Sequence, residues 1–276
     1  MPLIKLRSKN PSATELRTRL SSVKTKNPFV VRLGSRTPLS TFRNRIYHGA
    51  TEINTIDSIE NSRDKLKMKE CFSAQSVKQA NWYQFCPNEA GMRYGRLNDV
   101  ETQITQENLP YPIVVKQVVG YKGHGMIKCE NQEELQAWLA SHHFHTAGFY
   151  IERFHAFAKE YRLHATQEQV FLSWRKLRKE DATERWFFNS TNCNWVNEEH
   201  ELFAKPEAWD LMCEHAVRAM RATGLSIGAV DVRCKSNCRT ENDFIVLECN
   251  SAPELAEIGT EAYYMEITKI VRDHDN

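Results

Sequence analysis

The stretch PIVVKQVVGYKGHGM, residues 112–126, carries an apolar run into a lysine and then into a loop with glycines at 120, 123 and 125. Val and Ile favour the pleated backbone, so Pro112–Lys116 reads as a strand with a charge at its end. A cation there can meet the phosphates of a nucleotide. A glycine-rich turn lets backbone N–H groups approach those oxygens without a Cβ in the way. The loop is not of the P-loop type, because no Gly-Lys-Ser/Thr follows Gly125, and its G-x-x-G-x-G spacing is not the dinucleotide fingerprint. A surface hairpin with a strand-end lysine fits the same letters, and this stretch alone does not separate the two.

A second constellation lies downstream. SIGAVDVRC and FIVLECN read as two strands joined by the polar turn KSNCRTEND. Asp231 sits on the first. Glu248 and Asn250 sit two apart on the second, so their side chains share a face. Uncompensated carboxylates among apolar neighbours are costly. Two carboxylates and an amide oxygen between adjacent strands suit a hard cation such as Mg²⁺; edge-strand acids paired with Lys or Arg are the alternative. A third group is Glu160-Tyr-Arg162 with the later Arg175-Lys176-Leu-Arg178, guanidiniums on a strand pair suited to phosphate or carboxylate, or else solvated strand charges. The histidines at 142, 143 and 145 follow a helix with no acidic or cysteine partner nearby and read as a helix-end or surface group.

Between these lie a β-α-β start (3–7, 13–23, 28–33), with Ser12 and Glu15 at capping-box spacing, and a helix from Asp57 to about Ser76. Turn signals fall at Pro87-Asn88 and Glu89–Gly91. A helix over 131–142 is opened by Asn131, and strands cover 148–154 and the pair across 166–169. A helix over 207–223 is closed by Gly224, and a last helix covers roughly 260–272.

Residues 1–46 hold eleven Lys/Arg and one acid, Glu15, a charge of +10. The whole chain carries +2, so the remainder carries −8. Such a segment attracts nucleic acid, an acidic peptide or the acidic body itself, or is simply a solvated basic face. The eight cysteines include no C-x-x-C pair. With no signal peptide and no membrane-length apolar run, they indicate a reducing, cytoplasmic setting. The basic, acid-poor first thirty residues also have a transit-peptide composition, but FVVRL reads as part of the folded body.

In order the chain offers SRDKLKM, PIVVK, the glycine loop, YIERF, EYR, Asn189, VDVR and ECNSAP. This series resembles the ATP-grasp superfamily of carboxylate–amine ligases, most closely its RimK-like branch, from about Ile53 to Val271. The resemblance implies an α/β (α+β) fold in which two lobes sandwich ATP: a short basic lobe over 1–60, a nucleotide lobe with the glycine loop over 61–147, and a lobe with the metal site over 148–276. It further implies that Lys65 and Lys116 bind nucleotide and that Gly120, Gly123 and Gly125 fold over the phosphates. Glu152 and Arg153 would meet adenine, Glu160 the ribose, and Asn189 would lie near the triphosphate. His124, in the same loop, is a further candidate phosphate contact, one that the resemblance does not require. Asp231, Glu248 and Asn250 would hold Mg²⁺, normally two ions. Lys116 and Arg162 would neutralise the transferring phosphoryl group, with Arg175 facing the acyl phosphate. Tyr121, Phe187 and Glu254 depart from the family's Ser/Thr, Arg and Gly. The short first lobe resembles that of viral or phage members, for which the setting would be the host cytoplasm.

The expected activity is amide formation between a carboxylate and an amino-acid or peptide amine, with an acidic protein or peptide among the candidate partners. An ATP-binding sensor without the chemistry, and a nucleic-acid-associated protein using the basic segment, are the alternatives; the segment lacks the aromatic-interleaved platform of single-strand binders. No membrane partner is expected, and the oligomeric state is not readable.

Overall fold

Ile4 and Leu6 are buried and Lys5 is exposed, the two-residue alternation of a strand with one covered face. The computed structural model describes residues 4–8, 10–84, 109–120, 125–142, 148–183, 185–189 and 191–275. Gly123, His124, His143, His145 and the expected turns over 87–91 lie outside them.

The chain opens with β1 (Ile4–Ser8), α1 (Thr14–Leu20), β2 (Phe29–Leu33) and β3 (Thr51–Ile53), a three-stranded parallel sheet in the order β1-β2-β3. The capping box does not form. Asn10 caps the short turn at 11–13, and the Ser12 hydroxyl instead accepts the Leu255 N–H at 3.0 Å. The helix expected over 57–76 is two helices, α2 (Ile56–Arg63) and α3 (Lys65–Ala74). Between them Asp64 leaves helical geometry (ψ 110°), and its carboxylate accepts the N–H groups of Leu66 and Lys67. That break makes Lys65 the first residue of α3 and bonds its N–H to the carbonyl of Val118 at 3.0 Å.

A second, antiparallel sheet follows: β4 (Trp82–Gln84), β5 (Ile113–Gln117), β6 (Ile127–Cys129) and, after α4 (Gln132–Ser141), β7 (Phe149–Arg153), in the order β4-β7-β5-β6. Asn131 caps α4 as expected, accepting the Glu134 N–H at 3.0 Å. His142, at the end of that helix, stacks on Trp138. The third sheet holds β8 (Lys159–Thr166), β9 (Val170–Arg178), β10 (Cys193–Asn197), β11 (Ile227–Cys234) and β12 (Phe244–Asn250) in the antiparallel order β10-β9-β8-β11-β12. Helix α5 (Trp209–Thr223) precedes β11 and ends, as expected, at Gly224 in the left-handed region (φ 76°). Helix α6 (Glu257–Asp275) closes the chain.

Each large sheet has one dry face. Tyr161, Leu163, Val230, Val232 and Phe244 of the third sheet pack on Met212, Ala216 and Met220 of α5, together with Ile59, Met68 and Phe72 from α2 and α3. Burying one such side chain contributes about 1.5–3 kcal/mol. Ile113, Val115 and Ile151 of the second sheet pack on Leu135, Trp138 and Leu139 of α4. The first sheet shares its core with the end of the chain, since Leu16, Phe29 and Val31 pack with Tyr263, Ile267 and Val271 of α6. Cores therefore cut across the sequence segments: α6 completes the first lobe, and α2–α3 sit on the third sheet.

Part of the basic segment is answered by the rest of the chain. Arg19 pairs with Glu261 at 2.6 Å, Arg36 pairs with Glu60, and Lys26 bonds the Asp275 carbonyl at 2.8 Å. Gly34, at φ 74°, lies so close to the turn after β12 that an added Cβ would stand 2.7 Å from Ala252 Cβ. Gly34→Ala is expected to cost about 1–3 kcal/mol from backbone strain and this clash, read as a lowered thermal midpoint. Among the described residues no helix is long and apolar enough to cross a membrane.

Candidate active site

The wet faces of the second and third sheets look across a cleft of about 1300 Å³, closed at one end by Asn10 and Gly34 of the first lobe. Strand parity decides what reaches it. On the second sheet Ile113, Val115 and Ile151 take the dry face, so Val114, Lys116, Tyr150 and Glu152 line the cleft. On the third, Tyr161, Leu163, Val230 and Val232 are dry, so Glu160, Arg162, Asp231 and Arg233 line it.

Glu248 needs one more device. Val246 belongs to the dry core, and simple alternation would send Glu248 the same way. Asp231 pairs with Glu248 while Val232 pairs with Val246, so Leu247 is an extra residue in β12. This bulge reverses the parity and turns Glu248 and Asn250 into the cleft. Asn250 Nδ2 donates to Glu248 Oε1 at 3.2 Å. Lys65 Nζ stands 3.9 Å from Glu248 Oε2 and donates to the carbonyl of Gly120 at 2.9 Å. Lys65, the start of the glycine loop and the acid–amide pair thus converge. Gly125 also needs its glycine: its φ is 70° and Gln117 packs on it.

Two buried ion networks flank this point. In the first, Arg162 grips Asp231 with two bonds of 2.7 and 2.8 Å, and Lys176 reaches the same carboxylate at 3.1 Å. Lys176 also donates to Glu160 at 2.5 Å, and Arg233 bonds the other Glu160 oxygen at 3.0 Å. Burial alone would raise the Asp231 carboxyl, but Arg162 and Lys176 overcome it and hold it far below the ordinary carboxylate range. Trp195 lies against both cations, 4.8 Å from Arg162 and 4.9 Å from Lys176. In the second network Lys116 pairs with Glu152 Oε1, and Lys69 forms an ion pair with Oε2 at 3.1 Å. Burial again opposes the charge, yet Lys116 and Lys69 hold the Glu152 carboxyl at about 2. The folded value lies below the ordinary 4.5, so the stability this carboxylate supplies is complete above about pH 4.5 and is lost as the pH falls towards 2. Glu152→Gln is expected to flatten the acid limb of the stability–pH curve in that window, measured by urea unfolding between pH 2 and 6.

Most of the expected site residues meet in the cleft, but several are already engaged. Both oxygens of Asp231 and of Glu160 hold cations. The Glu152 side chain is turned to its two lysines, while Arg153 is exposed on the cleft wall. Asn189 lines the cleft, and its Oδ1 closes a turn by accepting from the N–H groups of Thr191 and Asn192. Arg175 does not reach the site. Tyr161 pairs with Arg175 and faces α5, so Arg175 points to the dry side and donates to the carbonyls of Leu202 and Phe203. Arg175→Ala is accordingly expected to cost about 1–2 kcal/mol of stability through those lost bonds and to leave nucleotide affinity unchanged. Lys176, one residue on, takes the cleft face and is buried rather than solvated. Lys69 and Arg233 were not foreseen. Lys69 follows Lys65 by one helical turn, and Arg233 follows Asp231 by the two-residue strand period, which were the available signals.

The family model of the RimK-like ATP-grasp domain matches residues 62–271. The chain belongs to that family. Solved structures agree at the level of the fold. VanG D-Ala:D-Ser ligase from Enterococcus faecalis superposes with a TM-score of 0.61 at 16% identity, covering 88% of this chain and 72% of that one. N5-carboxyaminoimidazole synthetase from Staphylococcus aureus complexed with ADP gives 0.63 at 14%, covering 97% and 70%. D-alanine–D-alanine ligase from Bacillus anthracis gives 0.60 at 14%, covering 89% and 82%. No curated protein matches the chain in sequence. As a RimK-like ATP-grasp chain it carries the mixed α/β architecture of that superfamily, with helices and sheets arranged around the central cleft.

The residues present fit a nucleotide and one hard cation. Lys65 and Lys116 line the cleft near Gly120, two cations of the kind that phosphates take. Among the described residues no three His, Cys, Asp or Glu side chains converge as a metal cluster. Glu248 with Asn250 is instead a two-donor site, the kind Mg²⁺ uses when phosphates and water fill its other positions. Asp231 joins it only by giving up Arg162 or Lys176.

Proposed function

We propose that this chain is an ATP- and Mg²⁺-dependent ligase that forms an amide between a carboxylate and an amine through an acyl phosphate, releasing ADP and phosphate. The observation that carries this reading is the placement of Glu248 and Asn250, turned into the cleft by the Leu247 bulge, beside Lys65 and the start of the glycine loop. A carboxylate is a poor electrophile, and its phosphorylation by ATP supplies a leaving group for amine attack. Lys65 and Lys116 would hold the phosphates, and Glu248 and Asn250 would hold Mg²⁺. Bound there, the cation would neutralise charge on the transferring phosphoryl group. Arg162, fixed by two bonds to Asp231, is a preorganised positive group facing the same space. Closure of the glycine loop would exclude the water that hydrolyses acyl phosphates. Amino acids, peptides and acidic protein termini are the candidate substrates, and the scattered thiols of the sequence suit a cytoplasmic setting.

A second reading is a nucleotide-binding sensor. The observation in its favour is that Asp231 and Glu160 are already neutralised by Arg162, Lys176 and Arg233. Hydroxylamine separates the two. With ATP, Mg²⁺ and a pool of carboxylates, the ligase converts hydroxylamine to a hydroxamate in step with ADP. ADP without hydroxamate contradicts the acyl phosphate, and nucleotide binding without either product favours the sensor.

A further inference from the structure

We propose that Lys69 is a positioning residue for nucleotide binding: it keeps Glu152 neutralised so that Lys116 can leave that carboxylate for the nucleotide phosphates. The inference rests on the proposed function in taking Lys116 as a phosphate partner.

Two lysines share one carboxylate, and they are not equivalent. The Lys69 side chain is 1% exposed and does not line the cleft, whereas that of Lys116 is 16% exposed and does. They also come from different layers. Lys69 rises from α3, whose neighbours Met68 and Phe72 pack in the core of the third sheet. Glu152 and Lys116 belong to adjacent strands of the second sheet. Lys69 thus ties the α3 layer to the second sheet.

Before nucleotide enters, Lys116 is held by Glu152. A phosphate can recruit it only by breaking that pair. With Lys116 as its sole partner, Glu152 would then be a buried, uncompensated carboxylate, and that penalty would oppose binding. With Lys69 on Oε2, the carboxylate stays paired when Lys116 departs. The triad also carries one positive charge in excess, a standing attraction for an anion in a poorly screened place. Lys69 has no other carboxylate within ion-pair distance among the described residues. Burial lowers the Lys69 ammonium below its ordinary range, and Glu152 is the neighbour that most favours its charged form.

The test is a double-mutant cycle read on binding rather than turnover. Lys69→Met, Glu152→Gln and the double variant are compared with wild type by calorimetric titration with ADP and a non-hydrolysable ATP analogue. Lys69→Met is expected to weaken both ligands by at least about tenfold, because Lys116 becomes trapped on Glu152. In the Glu152→Gln background the same change is expected to matter by less than about threefold. Lys69→Arg, which keeps the charge, is expected to bind like wild type and serves where Lys69→Met folds poorly. An equal loss in both backgrounds, normal binding by Lys69→Met, or loss in Lys69→Arg overturns the inference. A wild type that binds no adenine nucleotide overturns the functional reading and the inference with it.

Discussion

Glu248→Gln is expected to lower Mg²⁺-dependent ADP release by at least about a hundredfold while leaving nucleotide affinity within a few-fold and the thermal midpoint unchanged. The substitution keeps shape and removes charge. Glu248 is a third exposed, accepts one bond from Asn250 and stands 3.9 Å from Lys65, so no buried network depends on it. Unlike Asp231, Glu160 and Glu152, its carboxylate has no cation closer than 3.9 Å among the described residues, which is why the proposed reading gives it the Mg²⁺. Nucleotide contacts through Lys65 and Lys116 should survive the change. A variant that turns over normally would remove Glu248 from the metal site. A variant that loses binding and turnover equally would make it a ground-state contact rather than one that strengthens during phosphoryl transfer.

Asp231→Ala is expected to produce the largest loss of stability, about 3–5 kcal/mol, because it takes the shared carboxylate from two cations, the buried Lys176 and the partly buried Arg162, rather than removing one pair. Asp231 is 4% exposed and accepts two bonds from Arg162 and one from Lys176. Without it, Arg162 loses both bonds, and Lys176 keeps only Glu160, which Arg233 also holds. In a chain of this size each kcal/mol lowers the thermal midpoint by about 2–4 °C, so a drop of roughly 6–20 °C is expected without nucleotide or metal. This separates two roles for one carboxylate. An unchanged midpoint would mean that Asp231 is no structural counter-ion and stands free to bind metal. A large drop means that any part it takes in metal binding requires Arg162 or Lys176 to be drawn away first.

Much of this architecture was legible because short-range patterns reported it. Val and Ile beside Lys116, the strand runs EYRLHAT and SIGAVDVRC, Asn131 ahead of α4 and Gly224 behind α5 each act within a few residues, and the structure keeps each of them. What escaped depends on long-range choices. Asp64 breaks the helix because capping α3 competes with continuing α2, and either fits the same letters. Ser12 abandoned its capping box for Leu255, far along the chain. The facing of Arg175 follows from the register of β9 on β8, which shifts between His164 and Ala165 where Phe171 is extra. The facing of Glu248 follows from a second bulge, at Leu247, which nothing in FIVLECN announces. The motif order located the cleft, but which acids are free and which are locked in ion pairs is a property of the packed sheet. For the basic first segment, charge alone left several partners open, and Arg19, Lys26 and Arg36 show part of it answered by the chain itself.

The most direct test of the ligase reading is ADP release by wild type and Glu248→Gln with Mg²⁺-ATP, in the presence of pooled amino acids and acidic peptides. The account predicts that at least one pool stimulates ADP release by wild type, that Mg²⁺ is required, and that the variant does not respond. Release that ignores every pool and proceeds equally in the variant would contradict it.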